Sequence, residues 1–137
     1  MQTMVQHISA VTIVVPDYDQ AIAFYVDKLG FRLIEDVALS ATKRWIIVAP
    51  PGSHETGLLL AKADSATQTA AIGSQAGGRV FLILKTDDFD RDHVKFRLAG
   101  IEFLEEPRFE AYGKVAVFRD IFGNKWDLIE PLAKQPG

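Results

Sequence analysis

The 137-residue chain contains no cysteine, which removes disulfides, thiolate metal sites and cysteine nucleophiles together. A charge excess is also missing: 15 Lys and Arg stand against 18 Asp and Glu, a formal net charge of -3 without a dense run of one sign. Neither nucleic acid nor a membrane surface is therefore an expected partner. Apolar stretches such as Trp45 to Ala49 and Val80 to Leu84 fall far short of the ~18 residues that span a bilayer. The opening residues, Met1 to His7, show neither a basic start nor an apolar run, so no export signal is expected and the cytoplasm is the expected location. No glycine-rich loop ends in Gly-Lys-Ser/Thr, and no serine nucleophile elbow is visible.

What is there is an ordinary globular composition, 48% hydrophobic and 24% charged, enough to bury a core. At roughly 150 residues per domain, the expectation is a single domain over residues 1–137. The β-branched and apolar run Ala10 to Val15, stopped by Pro16-Asp17, predicts a strand. Ile22, Tyr25, Val26 and Leu29 then recur at helical spacing and Gly30 supplies a C-terminal cap. Strands are predicted over Phe31 to Leu39, Lys43 to Ala49 and Thr56 to Ala61. A connector rich in Ala, Ser, Thr, Gln and Gly follows, with a short helix near Thr67 to Ile72, and then the pattern restarts. Strand Arg79 to Thr86 precedes helix Asp88 to Ala99, and further strands lie near Ile101 to Leu104, Lys114 to Asp120 and Lys125 to Glu130.

Gly30 and Gly100 are 70 apart, whereas Asp17 and Asp88 are 71 apart. The second helix is thus expected to be one residue shorter than the first. Two tandem βαβββ units emerge, about 8–62 and 79–131, joined by a connector at about 63–78. Each sheet would have one face under its helix and one left open, and the expected product is an α+β fold, a curved eight-stranded mixed sheet around a cleft.

Val14-Val15-Pro16-Asp17, Ala23-Phe24-Tyr25, Lys28-Leu29-Gly30-Phe31 and Phe118-Arg119-Asp120-Ile121-Phe122-Gly123-Asn124 resemble the vicinal oxygen chelate superfamily, which includes glyoxalase I, bleomycin-resistance proteins and extradiol dioxygenases. The resemblance runs from about Ile8 to Pro131, with Ile121 where proline is usual. It implies the glyoxalase/bleomycin-resistance fold and commonly a homodimer. In metal-using relatives four side chains on the open face hold a divalent ion. The matching positions here are Ala10, Phe81, Leu59 or a near neighbour, and Asp127. One donor out of four cannot hold Zn²⁺, Mn²⁺ or Fe²⁺, which take at least three protein ligands. His7, His54 and His93 are read as surface groups. No metal site and no cofactor are expected; a relocated divalent ion is the rival.

Period-2 alternation from Ala10 puts Thr12 and Val14 on the open face. Ile47 is expected opposite Leu59, which turns Trp45 and Ala49 to the same side. Val117, Arg119, Lys125 and Asp127 share the open face of the last hairpin. The expected ligand is a small apolar or aromatic molecule bound by Ala10, Thr12, Trp45, Ile47, Leu59, Phe81, Val117 and Arg119, with Trp45 and Phe81 as stacking surfaces. Asp127 is the expected catalytic group if chemistry occurs, as a general base raised by desolvation; a salt bridge to Lys125 or Arg119 is the alternative. Three functions follow: metal-independent binding, a lyase, isomerase or dioxygenase of the same superfamily, and a regulatory or assembly subunit with a filled cleft.

Overall fold

The computed structural model describes residues 4–133. The chain divides between Ala70 and Ala71 into two compact units. In the first, β1 (Ala10–Val15) leads into α1 (Tyr18–Ile22), which continues as a π-helical segment (Ala23–Lys28); β2 (Arg32–Ala38), β3 (Arg44–Ala49) and β4 (Gly57–Lys62) follow. They form a mixed sheet in the order β1-β4-β3-β2, with β1 parallel to β4 and the other pairs antiparallel. Helix α2 (Ala66–Ala71) spans the boundary. The second unit has β5 (Val80–Lys85), α3 (Phe89–Leu98), β6 (Glu102–Phe103), β7 (Arg108–Glu110), β8 (Gly113–Arg119) and β9 (Lys125–Pro131). Its sheet runs β5-β9-β8-β6, and β7 also pairs with β8. Each unit thus repeats a parallel edge pair and an antiparallel remainder.

Two differences from the expected elements have local causes. Strand β7 was not anticipated, since no strand was expected between Leu104 and Lys114; it forms a hairpin with β8 in which Glu110 faces Gly113. The extra residue of the first helix is accommodated as π-helix. Phe31 donates its N–H to the Tyr25 carbonyl, six residues back, whereas the matching bond in the second unit, Ile101 to Phe96, spans five. Both helices begin on an aspartate whose carboxylate accepts an N–H three residues on, Asp17 from Gln20 and Asp88 from Arg91. Both also close at a glycine with φ near +87°, Gly30 at 86° and Gly100 at 87°, a conformation that costs other residues a steric penalty. Fixed ends and one surplus residue leave a widened turn as the solution.

The core of the first unit lies under its helix: Ile13, Val15, Tyr25, Ile46, Val48 and Leu60 are buried. The second buries Phe89, Phe96, Phe118, Trp126 and Leu128, with Phe118 stacked on Trp126 at 5.8 Å between ring centroids. The Asp120–Asn124 turn between β8 and β9 is tied by one carboxylate. Oδ1 of Asp120 accepts the N–H of Phe122 (2.9 Å) and of Asn124 (3.0 Å), and Oδ2 accepts the Asn124 side-chain amide (2.9 Å). This is the physical content of the Phe-Arg-Asp-Ile-Phe-Gly-Asn signature, and it fixes the entry of β9 and hence of Asp127.

Candidate functional site

Register assigns the open face of the first sheet. Thr12 pairs with Leu59, Leu59 with Ile47, and Ile47 with Glu35, giving one continuous row across all four strands. Ala10 pairs with Gly57 and Ala49 with Arg32, beside that row. Ala10, Thr12, Trp45, Ile47 and Leu59 therefore share one face, as alternation predicted. A register shift between Leu33 and Glu35 adds something alternation did not predict. This bulge puts one extra residue into β2, so that Arg32, Glu35 and Val37 all pair with open-face residues of β3. Strict period 2 from Arg32 would have turned Glu35 away.

A groove of about 360 Å³ opens here, with Ile47, Ala49 and Gly57 along its floor, Trp45 at its wall, and Arg32 and Glu35 on its rim. Glu35 Oε2 accepts the Trp45 indole N–H at 2.5 Å and fixes the ring, which stays 41% exposed. Gly57 keeps the floor flat. A Cβ there would stand 2.9 Å from Ile47 Cγ2 and 3.0 Å from the Val48 carbonyl, so any side chain would push Ile47 upward. His54 and Glu55 complete the rim.

On the second sheet Ile83 pairs with Asp127 and Asp127 with Val117, the same row that Thr12, Leu59 and Ile47 make in the first unit. Leu59 and Asp127 are thus equivalent by register. Phe81 falls within a register shift between Val80 and Leu82, so alternation does not set its direction and its match to Ala10 is looser than the spacing suggested. Neither expected salt bridge to Asp127 forms. Arg119 pairs with Glu102 at 2.6 Å, and Lys125 donates to the Gly78 carbonyl at 3.2 Å. Asp127 is half-buried, and its Oδ1 is buried without a hydrogen-bond partner among the described residues. Burial pushes its pKa above the usual carboxylate value; the Arg108 guanidinium opposes this and the Glu105 carboxylate adds to it. Arg108 itself is bound to Glu105 and Glu110, each at 2.7 Å.

His93 is not the plain surface group expected. Its ring stacks on Phe89 at 5.4 Å and lies 4.3 Å from the Phe103 centroid. Burial, then the Arg97 charge, holds its pKa below the ordinary histidine value. A metal does not fit this donor set. Ala10, Phe81 and Leu59 have no lone pair to offer, and among the described residues no group of three or more His, Asp or Glu could hold an ion. No helix among those residues is long and apolar enough to cross a membrane.

Residues 6–128 match the model of the glyoxalase/bleomycin resistance protein/dioxygenase superfamily. The chain belongs to this superfamily. A protein from Shewanella frigidimarina (strain NCIMB 400) described as uncharacterized is 53% identical over 134 residues, 97% of this chain and 99% of its own length. Among solved structures, UcmS2 is 33% identical with a TM-score of 0.80, the match covering 92% of this chain and 98% of that one. TnmS3, an antibiotic binding protein from Streptomyces sp. CB03234, is 30% identical with a TM-score of 0.78, over 96% and 100% respectively. The α+β glyoxalase/bleomycin-resistance fold is thereby established. The superfamily hosts several chemistries on one scaffold, so its name leaves the choice between binding and turnover to the site.

Proposed function

We propose that this superfamily member is a metal-independent binding protein for a small, flat, apolar or aromatic molecule, held on the open face of the first sheet. The groove floored by Ile47, Ala49 and Gly57 beside the half-exposed Trp45 carries this reading. An apolar floor with a few polar rim groups is the usual make-up of a small-molecule site, and the likeness to the antibiotic binding protein TnmS3 supports it. Ala10, Thr12 and Leu59 extend the floor within the first unit, whereas Phe81, Val117 and Arg119, expected as further contacts, belong to the second unit and are not among the residues lining this groove. A cytoplasmic homodimer is the proposed working form.

Tryptophan fluorescence tests it. Trp45 is 41% exposed and Trp126 3%, so quenching by an aromatic ligand reports on Trp45. Titration with a panel of aromatic metabolites and antibiotics should give saturable quenching. Trp45→Ala should weaken binding about ten-fold, the magnitude of one aromatic contact. Absence of saturable binding across the panel, measured also by calorimetry, rejects the reading. A second reading, turnover with Asp127 as general base, is favoured by its unpartnered buried oxygen; the same titrations followed for product decide it.

A further inference from the structure

We infer that the molecule taken by the first-unit groove is an aromatic carboxylate, a flat ring system bearing one anionic carboxyl group, and that Arg32 selects it. This inference rests on the proposed small-molecule function. It starts from the bulge in β2, which turns Arg32 toward the groove opposite Ala49. A regular strand could not turn both Arg32 and Glu35 to the same face.

Arg32 is held but not neutralised. One Nη2 bond of 3.0 Å to the Ser53 carbonyl anchors the guanidinium to the rim. No carboxylate of the described residues comes within 4.0 Å of it. Arg44, Arg91, Arg108 and Arg119 are each ion-paired, whereas Arg79 and Arg97, like Arg32, make no ion pair among the described residues; of these three, Arg32 is the one that lines the groove. An anchored guanidinium keeps the remaining N–H donors of its planar fork, a geometry that matches a carboxylate bidentately. The acidic groups of the groove do not compete on equal terms. Glu35 is occupied by the Trp45 indole N–H, and Glu55 makes no ion pair with Arg32. The ring system lies over Ile47, Ala49 and the bare Cα of Gly57, and the carboxylate reaches the rim cation. His54 is the other basic side chain lining the groove.

The test uses 2-naphthoate and its neutral isostere 2-naphthamide, titrated calorimetrically into the full-length protein at pH 7.5 and low salt. The expected result is saturable binding of both, with naphthoate about ten-fold tighter. Arg32→Gln should remove that preference while leaving naphthamide affinity within about two-fold, and Arg32→Lys should restore part of it, because a lysine keeps charge without the planar fork. Matched circular dichroism and melting curves for the variants exclude loss of fold. Equal affinity of the two probes, or a naphthoate preference that survives Arg32→Gln, overturns the assignment to Arg32 and leaves the small-molecule reading standing. If neither probe binds while other aromatic compounds do, the carboxylate assignment alone falls. If nothing aromatic binds, both fall.

Discussion

Two aspartates show how much a side chain's role depends on its surroundings. Asp120 and Asp127 lie seven residues apart and both sit at the β8–β9 hairpin. The first is nearly fully buried and accepts three hydrogen bonds that hold the turn together. Removing its carboxylate in Asp120→Ala strands the N–H groups of Phe122 and Asn124 and the Asn124 amide. The expected cost is about 3 kcal/mol, from the penalty on buried donors left unmade, read as a lower urea midpoint at constant m-value. A change under about 0.5 kcal/mol would show that water replaces the carboxylate at no cost. Asp127 carries the opposite balance, an acceptor with nothing donated to one oxygen. The sequence showed that both were notable, since one stood in a turn signature and the other at a ligand position. It did not show which one was satisfied, because that depends on where Lys125 and Arg119 find their partners.

At the scale of elements, the offset between repeats was legible as a number before it had a structure. The interval from Asp17 to Gly30 is 13 positions and from Asp88 to Gly100 is 12. Caps fix both ends of each helix, so the surplus residue is absorbed between Tyr25 and Leu29, where the i to i−5 bond from Leu29 to Phe24 closes a π-turn. Deleting the exposed Asp27 should therefore leave a regular α-helix. The deletion variant is expected to keep its far-UV dichroism and melt within about 5 °C of the parent. Unfolding of the variant at room temperature would mean that the π segment is required for packing rather than tolerated. The bulge in β2 is the counter-example at the same scale. Nothing in Arg32-Leu33-Ile34-Glu35 announces an irregular step, since Leu33 and Ile34 suit either face. The pairing with β3 decides it, and with it the position of the one rim cation without a carboxylate partner among the groove's described residues.

For the whole molecule, the balance of acids and bases sets the response to pH. The Arg44 hydrogen bond holds the Asp36 carboxyl below its ordinary value of 3.8. For Asp92, burial pushes upward, and the bonds from Arg91 and the Thr86 hydroxyl outweigh it. Their stabilisation is complete above the unfolded-chain value and is lost as pH falls through the lower folded values. Asp127 has the reverse sign. Its raised folded pKa means the folded state holds its proton more tightly, so its penalty is full at neutral pH and is relieved as pH falls through the folded value toward 3.8. His93, held below its ordinary value of 6.5, is protonated first in the unfolded chain, so it lowers stability as pH falls through that value. Urea stability should therefore decline on mild acidification, with Asp127 offsetting part of the decline, and drop further below about pH 4. Asp127→Asn should remove that offset and stabilise the neutral protein by under about 1 kcal/mol, the limit that solvent screening sets for a half-buried group. A variant profile parallel to the parent's would show that Asp127 contributes no offset.

The sequence by itself determined the repeated strand-helix-strands plan, the glycine helix caps, the turn signature at Asp120 and the apolar side chains at Ala10, Phe81 and Leu59. These follow from period, from glycine and aspartate placement and from residue chemistry, which are local properties of the chain, while the superfamily came from its resemblance to known motifs. Tertiary structure alone decided the β2 bulge, the indole bond to Glu35, the His93 stack and, among the described residues, the lack of a carboxylate partner for Arg32 and of a donor for Asp127 Oδ1. Each of these is a choice among partners on other strands, and a one-residue change in pairing reverses which face a side chain takes.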